Sequence, residues 1–295
     1  MTRGVLRIIF IAPSVILFSI FGLLPMLGAV LLSLTNWNGL NAPKFVGVTN
    51  WVTFAHDPQA WHSLVLTLEV MGLTWVIQTP LSVAIGMFLA GRSKYREILS
   101  IFYFLPLLFS SVAIAIVWSY ILDPNFGLLN ELLTKVGLGR LALDWLGSPS
   151  VVLWTVVAIV SWQYIPFHSL LYQSGRRQIP NSLYEAAIID GANELQRFVY
   201  ITVPQLKYTF ITSTTLMLTG SLTFFDLIYI LTNGGPDNAS NVLAVNMYDT
   251  AFSKQQMGYG SVMAVVIALM GIVLSLMLTR FTGFTRMESQ QQGVA

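Results

Sequence analysis

Few residues of this 295-residue chain could do chemistry, and most of them stand in apolar surroundings. Thr219, Thr223 and Asp226 recur at i, i+4 and i+7, which is one face of a helix, and Tyr229 lies three residues beyond Asp226. Hydroxyls and a carboxylate on one stripe suit hydrogen bonding to a hydroxylated solute, with Phe224 or Phe225 offering a ring face for stacking. The alternative is structural: Asp226 caps or pairs with a neighbouring loop or subunit. Glu69 is the other carboxylate within an apolar run. A charge held in a bilayer costs roughly 3 kcal/mol or more, so such positions are functional or paired.

Other chemistries find no support. The chain has no Cys, which excludes disulfides and thiolate ligands or nucleophiles. His56, His62 and His168 are scattered, so no metal set is expected. A P-loop needs a Gly-rich turn ending in Lys-Ser or Lys-Thr. The five Lys precede Phe45, Tyr95, Val136, Tyr208 and Gln255 instead. His-Glu-x-x-His and Gly-x-Ser-x-Gly are also missing. No catalytic residue, metal site or cofactor is assigned to this chain.

A different kind of signal lies in Glu185-Ala186-Ala187-Ile188-Ile189-Asp190-Gly191, followed by Ile201-Thr202-Val203-Pro204. Ser182 with Glu185 has the spacing of a capping box. A short helix is expected from about Leu183 to Asp190, stopped by Gly191 in the left-handed conformation. Asn193 with Gln196 restarts a second helix, which Pro204 closes. Leu183, Ala186, Ala187 and Asp190 share one face of the first helix. Two alanines there allow close approach of a partner. An isolated helix this short is marginal in water and needs packing. Docking to a protein and lying among lipid headgroups are the two options. The acidic, small-residue face favours the protein.

The elements that position these residues follow from composition. Hydrophobic residues make up 55% of the chain and charged residues 9%, against roughly 25% charged in soluble domains. An all-α integral membrane protein is expected, since helices satisfy their own backbone groups in lipid and the alternating pattern of a barrel is absent. Six stretches are long enough to span: Ile8–Leu34, Ser63–Ala90, Ile98–Leu122, Val151–Tyr172, Tyr208–Leu231 and Ser261–Phe281. The first is too long for a secretory signal core and reads as a retained span.

Arg3, Arg7, Arg92, Lys94, Arg96, Arg176, Arg177, Arg197, Lys207, Arg280 and Arg286 fall on one side of these spans. Lys44, Lys135, Arg140 and Lys254 fall on the other. Positive charge marks the inside, so both termini and the Glu185 loop, about residues 174–207, are read as cytoplasmic. External loops cover about 35–62, 123–150 and 232–260. Trp37, Trp51, Trp61, Trp118 and Trp145 sit near the outer boundary, where they suit interface anchoring. Pro13, Pro25, Pro80, Pro106 and Pro166 are expected to kink their spans. The tail after Met287 reads as polar and disordered. One transmembrane domain over 1–295 is expected, with a first span at 8–34 and a core at about 63–281.

The Glu185-Ala186-Ala187, Gly191, Ile201 and Pro204 pattern resembles the EAA motif of ATP-binding-cassette importer permeases. The resemblance extends along nearly the whole chain. Phe45-Val46-Gly47, Asn50-Trp51 and Asp57-Pro58 resemble the first external loop of the carbohydrate-uptake branch. Phe104-Leu105-Pro106 and Gly127-Leu128-Leu129-Asn130 resemble its third span and the loop that follows. Phe225-Asp226 and Leu231-Thr232-Asn233-Gly234-Gly235-Pro236 resemble its fifth span and last external loop. Gln173-Ser174-Gly175-Arg176-Arg177 is more basic than that pattern. The resemblance implies a MetI-like fold of six transmembrane helices and the role of first permease of a pair. It further implies a multi-pass protein of a bacterial or archaeal plasma membrane, in touch with lipid and not nucleic acid. Its implied partners are a second permease, two copies of a cytoplasmic ATPase holding ATP and Mg, and an extracytoplasmic solute-binding protein. Glu185, Ala186, Ala187, Asp190 and Gly191 would couple to the ATPase. Thr219, Thr223, Phe224, Asp226 and Tyr229 are the candidates for substrate contact.

An ion-coupled secondary transporter of small polar solutes is the competing function. It needs ionisable groups or broken helices at the membrane midplane, and neither Glu69 nor Asp226 is central in its span. A membrane enzyme would need catalytic groups gathered at one depth, and none assemble.

Overall fold

Backbone polar groups in lipid must be satisfied within the segment, and the apolar runs accordingly form helices. The computed structural model describes residues 3–91 and 93–282. Arg92, Arg286 and the tail after Met287 therefore lie outside the described residues. In chain order the helices begin with α1 (Arg3–Phe18), which passes through a π-helical turn at Ser19–Leu23 into α2 (Leu24–Ser33). A two-residue antiparallel hairpin of β1 (Thr35–Asn36) and β2 (Lys44–Phe45) comes next, a small departure from the all-α expectation. The helices α3 (Thr49–His56), α4 (Pro58–Leu89), α5 (Lys94–Tyr103), α6 (Ser111–Ile121), α7 (Leu128–Lys135) and α8 (Val152–Gln178) follow. The insert holds α9 (Asn181–Ile189), α10 (Glu194–Arg197) and α11 (Val203–Gln205), and the chain continues with α12 (Lys207–Ser221), α13 (Asp226–Thr232), α14 (Leu243–Tyr248) and α15 (Met257–Thr282).

Among the described residues three stretches are long and apolar enough to cross a membrane: Phe10–Ser33, Pro58–Leu89 and Met257–Arg280. The count rises to five if each of two bent helix pairs is one span. These pairs correct the sequence reading of spans three and five as simple helices. Lys94–Leu108 and Ser111–Ile121 meet at 98°, and Lys207–Ser221 and Asp226–Thr232 meet at 46°. At the first break Pro106 sits in a 3₁₀ turn, Leu105–Leu108, and Ser110 starts α6 by accepting the Ala113 amide at 3.2 Å. Pro13, Pro80 and Pro166 instead lie inside α1, α4 and α8. The α8 helix has 27 residues, but Gln163, His168, Ser169 and Gln173 are buried in it and lower its hydropathy.

Contacts gather into two units within the chain, Met1–Leu64 with Leu243–Met270, and Val65–Val242 with Gly271–Ala295. In the first, Phe54, Ala60, Leu243, Val262 and Met263 form a buried cluster. The helix α14 and the π-helical turn Asp249–Ser253 bury Ala244, Val245, Asn246, Thr250 and Ala251. Much of the stretch read as the last external loop is therefore packed helix, because Val242–Val245 is an apolar run too short to register as a span. Asn246 Nδ2 donates to Ser63 Oγ at 3.1 Å, and the Tyr259 hydroxyl donates to Asp57 Oδ2 at 2.6 Å. Asn50 Nδ2 donates to the carbonyls of Ser33 and Thr35, and Trp51 Nε1 to Ser33 Oγ. The Asn50-Trp51 pair thus staples α3 to the end of α2. In the same way Trp37 donates to the Asn41 carbonyl and Trp61 to that of Ala55.

In the second unit, Gly86 lets α4 touch α8. A Cβ at this position would lie 2.7 Å from the Ser169 carbonyl oxygen and 2.8 Å from Tyr172 Cβ. Small residues drive such contacts in membranes, where apolar burial gives no advantage over lipid. Ser82 Oγ donates to the Ile165 carbonyl along the same seam. The hydroxyl of Thr74 lies 3.4 Å from that of Ser221. Asn130 closes the 123–150 loop, donating to the Leu143 carbonyl and accepting from Trp145 Nε1 at 2.8 Å. Trp118 packs edge-on against Trp162, with ring centroids 5.5 Å apart.

Candidate functional site: a helix–bend–helix insert and an aromatic cavity

The insert is narrower than the sequence suggests, because α8 runs to Gln178 and α12 starts at Lys207. The Ser182–Glu185 capping box does not form. Pro180 is the N-cap and Asn181 already begins the helix, which leaves Ser182 inside the first turn with no cap to make. The far end follows the expectation. Gly191 adopts φ +79°, its amide donates to the Ile188 carbonyl at 3.0 Å, and the Ala192 amide donates to that of Ala187 at 2.8 Å. These two bonds are the Schellman pair that closes a helix around a left-handed residue. Two residues on, Asn193 and Gln196 form a reciprocal capping box at 2.8 and 2.9 Å. Pro204 does not end the second helix. The chain winds through a π-helical turn, Phe198–Thr202, into α11 and breaks only at Leu206.

Tyr184 fixes this unit to the membrane helices. Its hydroxyl lies 2.8 Å from Thr202 Oγ1, and its ring lies under the Arg176 guanidinium at 3.9 Å. It packs against the buried cluster of Val83, Tyr172, Ile179 and Leu206, together with Ile201. The Ile201-Thr202 part of the pattern is therefore an anchor for α9. Glu185, Ala186, Asp190 and Gly191 are exposed on the other side and Ala187 is half-buried. Ile189 is 86% exposed and Leu195 71% exposed. The face left open is thus more apolar than the predicted face of Leu183, Ala186, Ala187 and Asp190. A surface of this kind is suited to burial against a partner, since aliphatic side chains gain nothing from water.

The second candidate set does not keep its expected geometry. A stripe through Thr219, Thr223 and Asp226 requires one continuous helix, and the chain is non-helical between Ser221 and Asp226. The Thr219 hydroxyl donates to the Thr215 carbonyl at 2.7 Å, and that of Thr223 to the Gly220 carbonyl at 2.9 Å. Asp226 is exposed and opens α13, where a carboxylate favours the helix dipole. Tyr229 stacks on Phe225 at 5.1 Å. Glu69 is exposed on α4, and no ion pair among the described residues includes it.

Of this set, Phe224 lines a cavity. The space measures about 260 Å³ and is also lined by Gln78, Tyr164, Phe167, His168 and Leu216. Phe224 stacks on Tyr164 with centroids 5.4 Å apart, inside the range where ring pairs attract. The Nδ1 of His168 lies 3.0 Å from Ser213 Oγ. This is below the ~300–1,000 Å³ usual for a small-molecule site. It can therefore serve as a narrow stretch of a path, with aromatic walls and a few polar groups. Sequence reasoning missed Gln78, Tyr164 and His168, which are 56 to 146 residues from Phe224 and share no local pattern with it.

A family of proteins described as binding-protein-dependent transport system inner membrane components matches residues 82–286. Among curated proteins, a probable ABC transporter permease protein, YurN of Bacillus subtilis, is 36% identical over 92% of this chain and 94% of its own length. A probable starch degradation products transport system permease protein, AmyD of Thermoanaerobacterium thermosulfurigenes, is 30% identical over 95% of this chain and 94% of its own. Among solved structures, a chain of a bacterial alginate ABC transporter in complex with an alginate pentasaccharide-bound periplasmic protein superposes with a TM-score of 0.83. It is 22% identical and covers 95% of this chain and 94% of that one.

Proposed function

The chain belongs to the family of binding-protein-dependent transport system inner membrane components, and from that premise we propose that it is the permease subunit of an ATP-driven carbohydrate importer. The observation that carries this reading is the insert. It is a helix–bend–helix unit, anchored through Tyr184 and presenting apolar residues outward. With no P-loop of its own, such a chain takes its energy from a separate ATPase. In this reading Glu185, Ala186, Ala187, Asp190 and Gly191 couple the ATPase to the spans. The chain works as one domain over 1–295, with both termini cytoplasmic and six spans. The two bent pairs each supply one span, and the polar α8 supplies another. It sits in a bacterial or archaeal plasma membrane. Its partners are a second permease, two ATPase copies binding ATP and Mg, and an external solute-binding protein.

A carbohydrate substrate is supported by the named substrate of a relative covering nearly the whole chain. The aromatic walls of the 260 Å³ cavity also suit a sugar ring. Within the candidate set Phe224, which lines this cavity, is our choice for solute contact, with Thr219, Thr223, Asp226 and Tyr229 flanking the bend beside it. The test is co-purification with candidate ATPases, then ATP hydrolysis measured with a panel of sugars and their binding proteins. Sugar-stimulated hydrolysis is expected. Uptake that collapses with a protonophore while ATP persists would instead establish the ion-coupled alternative. Within the site, Phe224→Ala should raise the half-saturating sugar concentration more than Thr223→Ala. Equal or null effects of both would remove the cavity from the path.

A further inference from the structure

A second cavity in the unit that carries the insert is lined by arginine. It measures about 290 Å³ and is bounded by Ala90, Gly91, Arg96, Arg176, Arg177 and Asn181. Arg96 and Arg176 are half-buried and Arg177 is exposed at the rim. The ion pairs of the described residues are Lys135–Glu131, Arg197–Glu194 and Lys254–Asp249, so no carboxylate among the described residues pairs with these arginines. Part of this charge has a structural explanation. Arg177 Nη2 donates to the Leu89 carbonyl at 3.4 Å, beside a 2.9 Å bond from Gln173, and a cation suits the end of α4. Arg96 lies over the Phe88 ring at 4.8 Å and Arg176 over Tyr184 at 3.9 Å. Ring contacts use the guanidinium faces and leave their N–H groups available, five per arginine. The cavity also meets the start of α9 at Asn181. Pro180 gives that helix no side-chain cap, so its positive end adds to the arginines.

We infer that this cavity binds a phosphate group, and that the group belongs to an anionic lipid of the leaflet in which α4 and α8 end. Forked guanidinium donors match phosphate oxygens, and basic pockets between spans take up anionic headgroups. A lipid is the source because the cavity opens where the apolar α4 stops. The adjoining α5 exposes Tyr95, Ile98, Ile101 and Phe102, each more than half exposed, which acyl chains would cover. Once held, the phosphate ties the α4–α5 connection to the end of α8 and the base of α9. Anionic lipid would then stiffen the insert.

The test uses the purified full chain in neutral detergent. Retention of phosphatidylglycerol and of phosphatidylcholine with the same acyl chains is measured by native mass spectrometry. Wild-type protein should retain phosphatidylglycerol about tenfold better. Arg96→Gln with Arg176→Gln, which spares the Arg177 bond to Leu89, should lower its retention about tenfold, to the level of phosphatidylcholine. Phosphatidylcholine retention should not change. Arg96→Lys with Arg176→Lys keeps both charges and should recover most of the loss, which separates binding from misfolding. Arg140→Gln, elsewhere on the chain, should have no effect. Equal retention by wild type and the glutamine pair would overturn the proposal. So would stripping of the lipid from wild type by millimolar inorganic phosphate, which would assign the cavity to a soluble anion.

Discussion

Gly191 carries the sharpest prediction, because its contribution separates cleanly into backbone and packing. Its φ of +79° lies in the left-handed region, and a Cβ built there meets nothing within 4 Å. A substitution therefore adds no clash with the rest of the chain, and only the conformational preference of the new residue counts. An alanine in that region costs about 1–2 kcal/mol, and 1.4 kcal/mol is about a tenfold change in a population. Asparagine tolerates the region better and valine tolerates it worse. The bend should thus lose population in the order Gly, Asn, Ala, Val, with Gly191→Ala down by about tenfold. Hydrogen exchange at the amides of residues 191 and 192 reads this directly, since both close the Schellman pair. ATPase association measured on the same variants should weaken in the same order. If alanine equals glycine in exchange, or asparagine does no better than valine, the bend is held by something other than residue 191. Intact ATPase association in the valine variant would show that the partner does not need the bend.

Three further outcomes follow from other contacts. Asn193→Ala removes half of the reciprocal capping box and should cost about 1 kcal/mol of local helix stability, seen as faster exchange across Glu194–Arg197 with the melting temperature unmoved. Gly86→Ala drives a Cβ into the Ser169 carbonyl and Tyr172 Cβ; overpacking of about 1–3 kcal/mol should appear as a lower thermal midpoint in detergent, whereas an unchanged midpoint would mean that α4 and α8 do not touch there. Tyr259→Phe removes the 2.6 Å bond to Asp57 Oδ2 and should cost about 1.5–3 kcal/mol. Asp57→Ala should cost more, because the same carboxylate accepts the Gln59 and Ala60 amides at the start of α4.

Apolar length was readable in the sequence because hydropathy adds up residue by residue, and α4 and α15 appear where the long apolar runs stand. Breaks were not readable the same way. Leu105, Leu107, Leu108 and Phe109 keep the third run apolar while the backbone turns through 98°. Pro106 followed by the helix-starting Ser110 was the available signal. At the fifth run the polar stripe assumed a helix through 222–225, where none exists. In the insert, the left-handed Gly191 and the Asn193 box were legible because each depends on neighbours within four residues. The missing Ser182 box shows the limit of that logic, since Pro180, with its fixed φ, set the N-cap two residues before Ser182. Tyr184 and the Gln78–Tyr164–His168–Phe224 cavity depend on contacts across separate helices, which no local pattern encodes.

The two bent helix pairs, taken as spans, also say where lipid cannot be. Non-helical backbone at membrane depth persists only beside protein or water, because hydrocarbon offers nothing to its free amides and carbonyls. With each bent pair as one span, the stretches between Tyr103 and Ser111 and between Ser221 and Asp226 mark sides of the chain that stay wet or covered, and the exposed helical stretch from Phe10 to Ser33 is free to meet acyl chains. Read this way, helix breaks are a solvent map: a spin label or solvent-accessible cysteine introduced at Phe109 or Thr223 should report water or protein, and one at Phe21 should report lipid.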